Sequence, residues 1–122
     1  MELIPLDIEL SVCKIREPSV DWRGPFTALV NTGEELSLVC ESGAVPADAL
    51  AVEPGWRAFR IAGALDFSLV GVIAAISGAL AAAGISVFVI STYDTDYVLL
   101  KAGDFSRGLE ALRETGCAVG TA

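Results

Sequence analysis

The polar side chains between Thr92 and Asp96 are the residues of this sequence with the most informative chemistry. They follow the apolar run Ile85–Ile90 and precede Val98-Leu99-Leu100. This abrupt change predicts two strands joined by a polar turn. Hydroxyls and carboxylates on a rigid hairpin can hold a small zwitterion through charge-assisted hydrogen bonds, although such turns are also closed by their own Asx and Ser/Thr bonds. The candidate ligand-binding side chains are those of Thr92, Asp94, Thr95 and Asp96.

Catalytic chemistry is not predicted. The sequence has no histidine, which removes the usual general base and the commonest metal ligand. Asp94 and Asp96 lie two apart on one strand and point to the same face without a partner acid or base. No glycine-rich phosphate loop follows Gly63. We therefore expect no catalytic residues and no cofactor.

The three cysteines, Cys13, Cys40 and Cys117, are odd in number and far apart. Without a CxxC spacing they indicate neither a zinc site nor a dithiol redox site. Each lies in or beside an apolar run, which favours the interpretation as small buried hydrophobic residues. We expect no metal site.

A long helix is predicted in front of the hairpin, from about Ser68 to Ala83, with Gly84 as its C-terminal stop. Asp66 or Ser68 can cap its start, and free backbone N–H groups near Asp66–Gly71 form a candidate carboxylate site. One face of this helix has helically spaced apolar residues, and these are Leu69, Val72, Ile73, Ile76 and Leu80.

The remaining elements of the C-terminal half give the order βαββαβ, a ferredoxin-like α+β arrangement. Its first strand is predicted at Trp56–Ile61. A second helix follows the hairpin, from Asp104 to Thr115, and Gly116 ends it. The last predicted strand covers Cys117–Thr121.

The N-terminal half resembles a degraded copy of this pattern, since Phe26–Cys40 repeats the strand, polar turn and strand about 60 residues earlier. A first strand is predicted at Leu6–Ile15 and a stub of the second helix at Pro46–Leu50. The segment Ala51–Gly55 is predicted to join the halves, so we expect two units, residues 1–54 and 55–122, the first without its opening helix.

Four segments together resemble ACT domains, in particular the tandem-ACT amino-acid sensors of the CASTOR type and their small bacterial relatives. The most specific is the run Ser91-Thr92-Tyr93-Asp94-Thr95-Asp96-Tyr97-Val98-Leu99. The others are Ala58-Phe59-Arg60-Ile61, Leu65-Asp66-Phe67-Ser68-Leu69-Val70-Gly71 and Ala83-Gly84-Ile85-Ser86.

The resemblance implies a regulatory module that holds an amino acid between two ACT units. In such sensors the ligand touches the start of the first helix, here Leu69, Val70, Gly71 and Val72, and the polar hairpin stretch, here Thr92, Tyr93 and Asp96. Leu69 is apolar where an acidic side chain would favour a cationic ligand. The resemblance therefore leaves a neutral or smaller amino acid as open as arginine.

Charge and hydropathy limit the other partners. The net charge of −8 disfavours nucleic acid and anionic membrane surfaces, because no basic stripe is present. The 27 residues from Phe67 to Tyr93 carry no charge, but Gly84 interrupts them and no Lys or Arg flanks them closely, which disfavours a membrane span. No secretory signal pattern is visible after Met1, and we expect a cytoplasmic protein.

Two functions remain open. The first is an amino-acid-binding module, for which replacing Asp96 with alanine is predicted to abolish binding and leave the fold largely intact. The alternative is a ferredoxin-like module for protein–protein association without a small ligand, in which Asp96 only satisfies the turn. In either case we expect a homodimer, because the small N-terminal unit cannot cover its own sheet.

Overall fold

The computed structural model describes residues 1–63 and 71–120. The strands and helices along the chain are β1 (Glu2–Pro5), β2 (Leu10–Ile15), β3 (Thr27–Asn31), β4 (Leu36–Glu41), β5 (Ala51–Ile61), α1 (Val72–Ala82), β6 (Phe88–Ser91), β7 (Asp96–Lys101), α2 (Phe105–Glu114) and β8 (Ala118–Val119). Short 3-10 turns follow β4 at Ser42–Ala44 and β7 at Ala102–Asp104.

The chain divides into two compact units. The larger unit consists of Met1–Asp7 and Arg57–Ala122, and the smaller unit of Ile8–Trp56. The predicted division after residue 54 places residues 1–7 in the N-terminal unit, and this is the main difference from the units of the structure. Those residues belong to the larger unit because β1 pairs with β5 and with β8.

The larger unit has the predicted βαββαβ order, which confirms the ferredoxin-like α+β fold. Its strands are arranged β8-β1-β5-β7-β6. β1 is an additional strand inserted between the first and last strands of the motif, antiparallel to β5, with Leu3 opposite Ile61, and parallel to β8, with Leu3 opposite Val119. Since β8 has only two residues, β1 supplies most of the pairing at that side of β5.

The core of the larger unit lies between its strands and its two helices. Ile76 and Leu80 of the predicted α1 stripe are buried, and Val72 and Ile73 pack against the same core; Leu69 lies outside the described residues. The largest fully buried side chains of this core are Leu3, Phe59, Ile61, Leu80, Leu100 and Leu112.

Both helices end where the sequence predicts, because a glycine adopts positive φ at each end. After α1, Gly84 has φ of 75°; its N–H donates to the Ala81 carbonyl and the Ile85 N–H to the Leu80 carbonyl, both at 2.9 Å. This is a Schellman motif with a buried Ile85–Leu80 hydrophobic pair.

The start of α1 differs from the predicted start near Ser68. The helix begins at Val72, with Gly71 at the N-cap, and the predicted caps Asp66 and Ser68 lie outside the described residues.

Replacing Gly84 with alanine is expected to lower the free energy of unfolding by about 1–2 kcal/mol, because an L side chain is strained at positive φ. Gly78, inside α1, is the matched control: nothing lies within 4 Å of a Cβ built there. Gly78→Ala is expected to stabilise the protein by about 0.5–1 kcal/mol. Urea denaturation of both variants measures the signs, and equal signs would contradict this account of the helix end.

The smaller unit is built on β2, which pairs antiparallel with β4 along its length. β3 pairs with the other edge of β4, and the first part of β5 pairs with β2. Its core contains Cys13, Ile15, Leu38 and Cys40. Burial raises the pKa of the Cys40 thiol to about 11, which confirms the interpretation of this cysteine as a small hydrophobic residue.

Three predictions for the N-terminal half are wrong. The predicted strand Leu6–Ile15 begins too early: only Leu10–Ile15 is a strand, β2, whereas residues 6–9 connect it to the preceding β1, which ends at Pro5 and pairs with β5. Pro46–Leu50 forms no helix: the Ala49 N–H donates to the Pro46 carbonyl, and β5 begins at residue 51, too soon for a further turn.

The third concerns Ala51–Gly55, which is not a joint but the first part of β5. Val52 and Glu53 lie opposite Cys13 and Val12 in the ladder. The register then shifts between Leu10 and Val12, where Gly55 has φ of 80°. Pro54 has no N–H to donate to the ladder, and Gly55 has no side chain to pack. A β-bulge accommodates both residues inside a strand.

The second strands of the two hairpins have matching bounds at an offset of 60 residues. β4 begins at Leu36 and β7 at Asp96, and both strands have six residues. Each is followed immediately by a three-residue 3-10 turn. The polar connections that precede β4 and β7 therefore lie 60 residues apart in the sequence.

Candidate functional site

The predicted polar turn joins β6 to β7 in the larger unit, and Thr92 closes it. The Thr92 N–H and Oγ1 both donate to the Thr95 carbonyl, at 2.8 and 3.0 Å. The Thr95 N–H in turn donates to Thr92 Oγ1 at 3.3 Å. The hydroxyl of Thr92 is therefore engaged in a local Ser/Thr turn.

Thr95 fastens this turn to the neighbouring strand. Its side chain is buried, and its Oγ1 donates to the carbonyl of Ile61, at the end of β5, at 2.8 Å. A buried hydroxyl bonded to a backbone carbonyl fixes the turn relative to β5. The end of β5 and the polar turn are thus held side by side.

The other three hairpin candidates have different environments. Asp96 is half-buried, and Ser91 Oγ donates to its Oδ1 at 2.5 Å across the first residue pair of the hairpin. Asp94 is exposed at the turn. Tyr93 is 81% exposed, more than any other large hydrophobic side chain of residues 1–63 and 71–120.

An open notch of about 310 Å³ lies beside this turn. It is lined by two hydroxyl residues, one carboxylate, one guanidinium, one phenol and one glycine: Thr92, Thr95, Asp94, Arg60, Tyr97 and Gly63. Within residues 1–63 and 71–120, the side chains of Arg60 and Asp94 make no hydrogen bond or ion pair. Opposite charges therefore line one notch without neutralising each other.

The structure brings together only part of the predicted site. Thr92 and Asp94 line the notch, whereas Tyr93 and Asp96 are not among its lining residues. Gly71 and Val72 lie at the start of α1, also outside the lining. Leu69 and Val70 lie outside the described residues.

Arg60 is the notch residue that sequence reasoning missed. It lies on β5 between Phe59 and Ile61, which are both buried. A cation between two large apolar residues, shortly before a glycine, is the available signal. This signal does not place Arg60 beside the polar turn; the pairing of β5 with β7 and the Thr95–Ile61 hydrogen bond do.

The described part of the chain contains neither a metal-binding cluster nor a membrane-spanning helix. No group of three or more His, Cys, Asp or Glu side chains in residues 1–63 and 71–120 is placed to hold a metal ion. Among the helices of the same ranges, none is long and apolar enough to cross a bilayer.

Comparison with solved structures supports the fold. A structural genomics target from Agobacterium tumefaciens is 26% identical with a TM-score of 0.86, over 99% of this chain and 92% of that one. A protein of unknown function from Vibrio cholerae is 22% identical with a TM-score of 0.73, over 90% of this chain and 85% of that one.

Aspartate kinase from Clostridium acetobutylicum, an allosteric enzyme, is 14% identical with a TM-score of 0.62, over 84% of this chain but only 31% of the enzyme. At these identities the Vibrio and Clostridium proteins show the fold alone. No curated protein matches the sequence significantly.

Residues 51–114 match the family model for the ACT domain. The matched segment covers β5 to α2, and thus the strand with Arg60, the first helix and the hairpin. Because the match spans more than half of the sequence, and the larger unit has the βαββαβ order, the chain belongs to the ACT domain family.

Proposed function

We propose that this protein is a regulatory module that binds an amino acid and has no catalytic activity of its own. ACT domains generally bind amino acids for regulation, and a structural neighbour is an allosteric aspartate kinase. The observation that carries the proposal is the notch beside the fixed polar turn, in which the side chains of Arg60 and Asp94 have no ion-pair or hydrogen-bond partner within residues 1–63 and 71–120. The net charge of −8 argues against a nucleic-acid partner.

The notch matches an α-amino acid in charge and size. A guanidinium binds a carboxylate with two parallel hydrogen bonds, so Arg60 is the proposed carboxylate partner. Asp94 is the proposed acceptor for the ammonium group. Gly63 has φ of 80° and no side chain, which allows a ligand to approach the backbone closely. The volume is at the small end of the range for ligand pockets, which favours a single amino acid.

The remaining proposed contacts follow the tandem-ACT resemblance, in which the ligand is held between ACT units. On the hairpin these contacts are Thr92, Tyr93 and Asp96. Near the first helix they are Gly71 and Val72, at the start of α1, and Leu69 and Val70, which lie outside the described residues. Asp96 also accepts the Ser91 hydroxyl, and we propose that this bond positions its carboxylate for the ligand contact.

Replacing Asp94 with asparagine is expected to weaken binding by about 10- to 150-fold, because a charge-assisted hydrogen bond to the ammonium is lost. Isothermal titration calorimetry measures this with the amino acid that a thermal-shift screen identifies. Glu110→Gln is the matched control, since it removes one carboxylate that pairs with Arg113 at the surface of α2. Equal affinities of the Asp94 and Glu110 variants would exclude Asp94 as the ammonium partner.

A second candidate function, association with another protein, is supported by the surface of α1. This helix has no charged residue, and its outer face consists of exposed small residues, Ala74, Ala75, Gly78, Ala81 and Ala82. Beside it lies an apolar groove of about 510 Å³. We propose that this surface forms a homodimer. Light scattering at micromolar concentration is expected to give a mass of twice 12.7 kDa. A mass equal to that of the monomer would contradict the homodimer.

A further inference from the structure

β3 lies at the outer edge of the sheet of the smaller unit. The strands of this sheet are arranged β3-β4-β2-β5, and among the described residues β3 pairs with β4 alone. β3 has five residues, whereas β6 and β8, the outer strands of the larger unit, have four and two. Within residues 1–63 and 71–120, β3 is therefore the longest outer strand.

The geometry of the hairpin determines which backbone groups of β3 point outward. The Thr32 N–H donates to the Glu35 carbonyl at 3.1 Å, so these two residues form a hydrogen-bonded pair. Bonded and non-bonded pairs alternate along an antiparallel ladder, so Val30 also bonds to β4, whereas the N–H and carbonyl groups of Leu29 and Asn31 point away from it. In the described part of the chain, no hydrogen bond outside the ladder with β4 engages the N–H of Leu29 or Asn31.

This edge lacks the features that usually prevent a further strand from pairing. The sequence has no charged residue between Pro25 and Glu34, and neither a proline nor a register shift interrupts β3. Lysines, prolines and bulges are common means by which proteins protect an outer strand. In addition, the apolar side chain of Val30 is 55% exposed on this strand. The edge of β3 is therefore suited to the addition of one more strand.

The charges beside this edge favour one kind of added strand. The tip of the hairpin lines a cavity of about 630 Å³, in which the carboxylates of Glu17, Glu34 and Glu35 outnumber the cations of Lys14 and Arg16. The net charge of the whole chain is −8. A second copy of the chain would bring the same negative charge to these glutamates, whereas a basic segment complements them.

We propose that β3 binds an extended basic segment of a partner protein by strand addition. The backbone of this segment pairs with the outward N–H and carbonyl groups of Leu29 and Asn31. Its apolar side chains cover Val30, and its lysines or arginines lie near Glu34. The proposal rests on residues of the smaller unit alone and does not depend on amino-acid binding at the notch of Arg60 and Asp94.

The test is amide hydrogen exchange of the ¹⁵N-labelled full chain, measured by NMR with and without a synthetic peptide of alternating lysine and valine. Without peptide, we expect the Val30 amide to be protected and the Leu29 and Asn31 amides to exchange freely. When nine-tenths of the protein is bound, exchange at Leu29 and Asn31 is expected to slow about 10-fold, because only the free tenth exchanges.

A peptide of alternating glutamate and valine is the matched control for charge, and it is expected to leave the exchange at both amides unchanged. Glu34→Gln is expected to weaken binding of the lysine–valine peptide by up to about 5-fold, the range of an exposed ion pair. Glu110→Gln removes an exposed carboxylate on α2, in the larger unit, and is expected to leave the affinity unchanged.

Three results would overturn the proposal. The first is unchanged exchange of Leu29 and Asn31 at millimolar lysine–valine peptide, whether or not an amino acid shifts the Gly63 amide at the notch of the larger unit. The second is equal slowing by the glutamate–valine peptide, which would exclude selection of a basic segment. The third is protection of both amides without peptide that increases with protein concentration, which would show that a second copy occupies the edge.

Discussion

Replacing Arg60 with glutamine is expected to weaken amino-acid binding by about 10- to 150-fold, while the free energy of unfolding changes by less than about 0.5 kcal/mol. Arg60 is half-buried on β5 and makes no side-chain hydrogen bond within residues 1–63 and 71–120. Its removal therefore leaves no structural partner unsatisfied in those ranges. The variant is expected to lose only its contact with the carboxylate of the ligand. Calorimetry measures the affinity, and urea denaturation measures the free energy of unfolding.

Arg57, three residues earlier on the same strand, is the matched control. Its Nη2 and Nε donate to the Leu6 carbonyl at 2.9 and 3.3 Å, and its guanidinium lies 4.5 Å from the centre of the Phe105 ring. Arg57→Gln is expected to cost about 1–3 kcal/mol of stability and to leave the affinity unchanged. Wild-type affinity in Arg60→Gln would remove this arginine from the site.

Replacing Phe59 with alanine is expected to lower the free energy of unfolding by about 3–5 kcal/mol, the largest stability effect that we predict for a single substitution. The side chain is fully buried, and its ring centre lies 6.5 Å from that of Phe105 on α2. Truncation leaves a cavity where β5 meets the second helix, in a core that also includes Leu112. Urea denaturation followed by circular dichroism measures the loss.

Phe59→Leu is the graded comparison for this prediction. It keeps most of the apolar volume, and is expected to cost clearly less than the alanine variant. A loss below about 1 kcal/mol in Phe59→Ala would contradict the position of this ring in the core of the larger unit, since fully buried aromatic side chains do not behave in that way.

The parts of the fold that local chemistry determines could be predicted from the sequence. The apolar runs around the hairpin and the glycines that end the helices act within a few residues. Gly84 and Gly116 both adopt positive φ at helix ends, as the sequence indicates. β4 and β7 begin 60 residues apart, each directly after its own polar turn.

The wrong predictions concern segments whose strand pairing depends on residues far away in the sequence. Glu2–Pro5 becomes a strand because β5 and β8 offer it hydrogen-bonding partners, and nothing in those four residues predicts these partners. The Pro54-Gly55 pair is typical of a joint, but a bulge opposite β2 accommodates it inside β5. The candidate site shows the same limit, since Arg60 lies beside the hairpin residues because β5 pairs with β7 and Thr95 bonds to the Ile61 carbonyl, and both contacts join residues distant in the sequence.

The central claim, an amino-acid ligand at the notch of Arg60 and Asp94, is tested most directly by a thermal-shift screen against the twenty amino acids. A ligand at 100 times its dissociation constant stabilises a protein by roughly 2.7 kcal/mol, which raises the melting temperature by several degrees. We predict such a rise for at least one amino acid in wild type and in Arg57→Gln, and its loss in Arg60→Gln. No rise for any amino acid at millimolar concentration, or an equal rise in Arg60→Gln, would contradict the account.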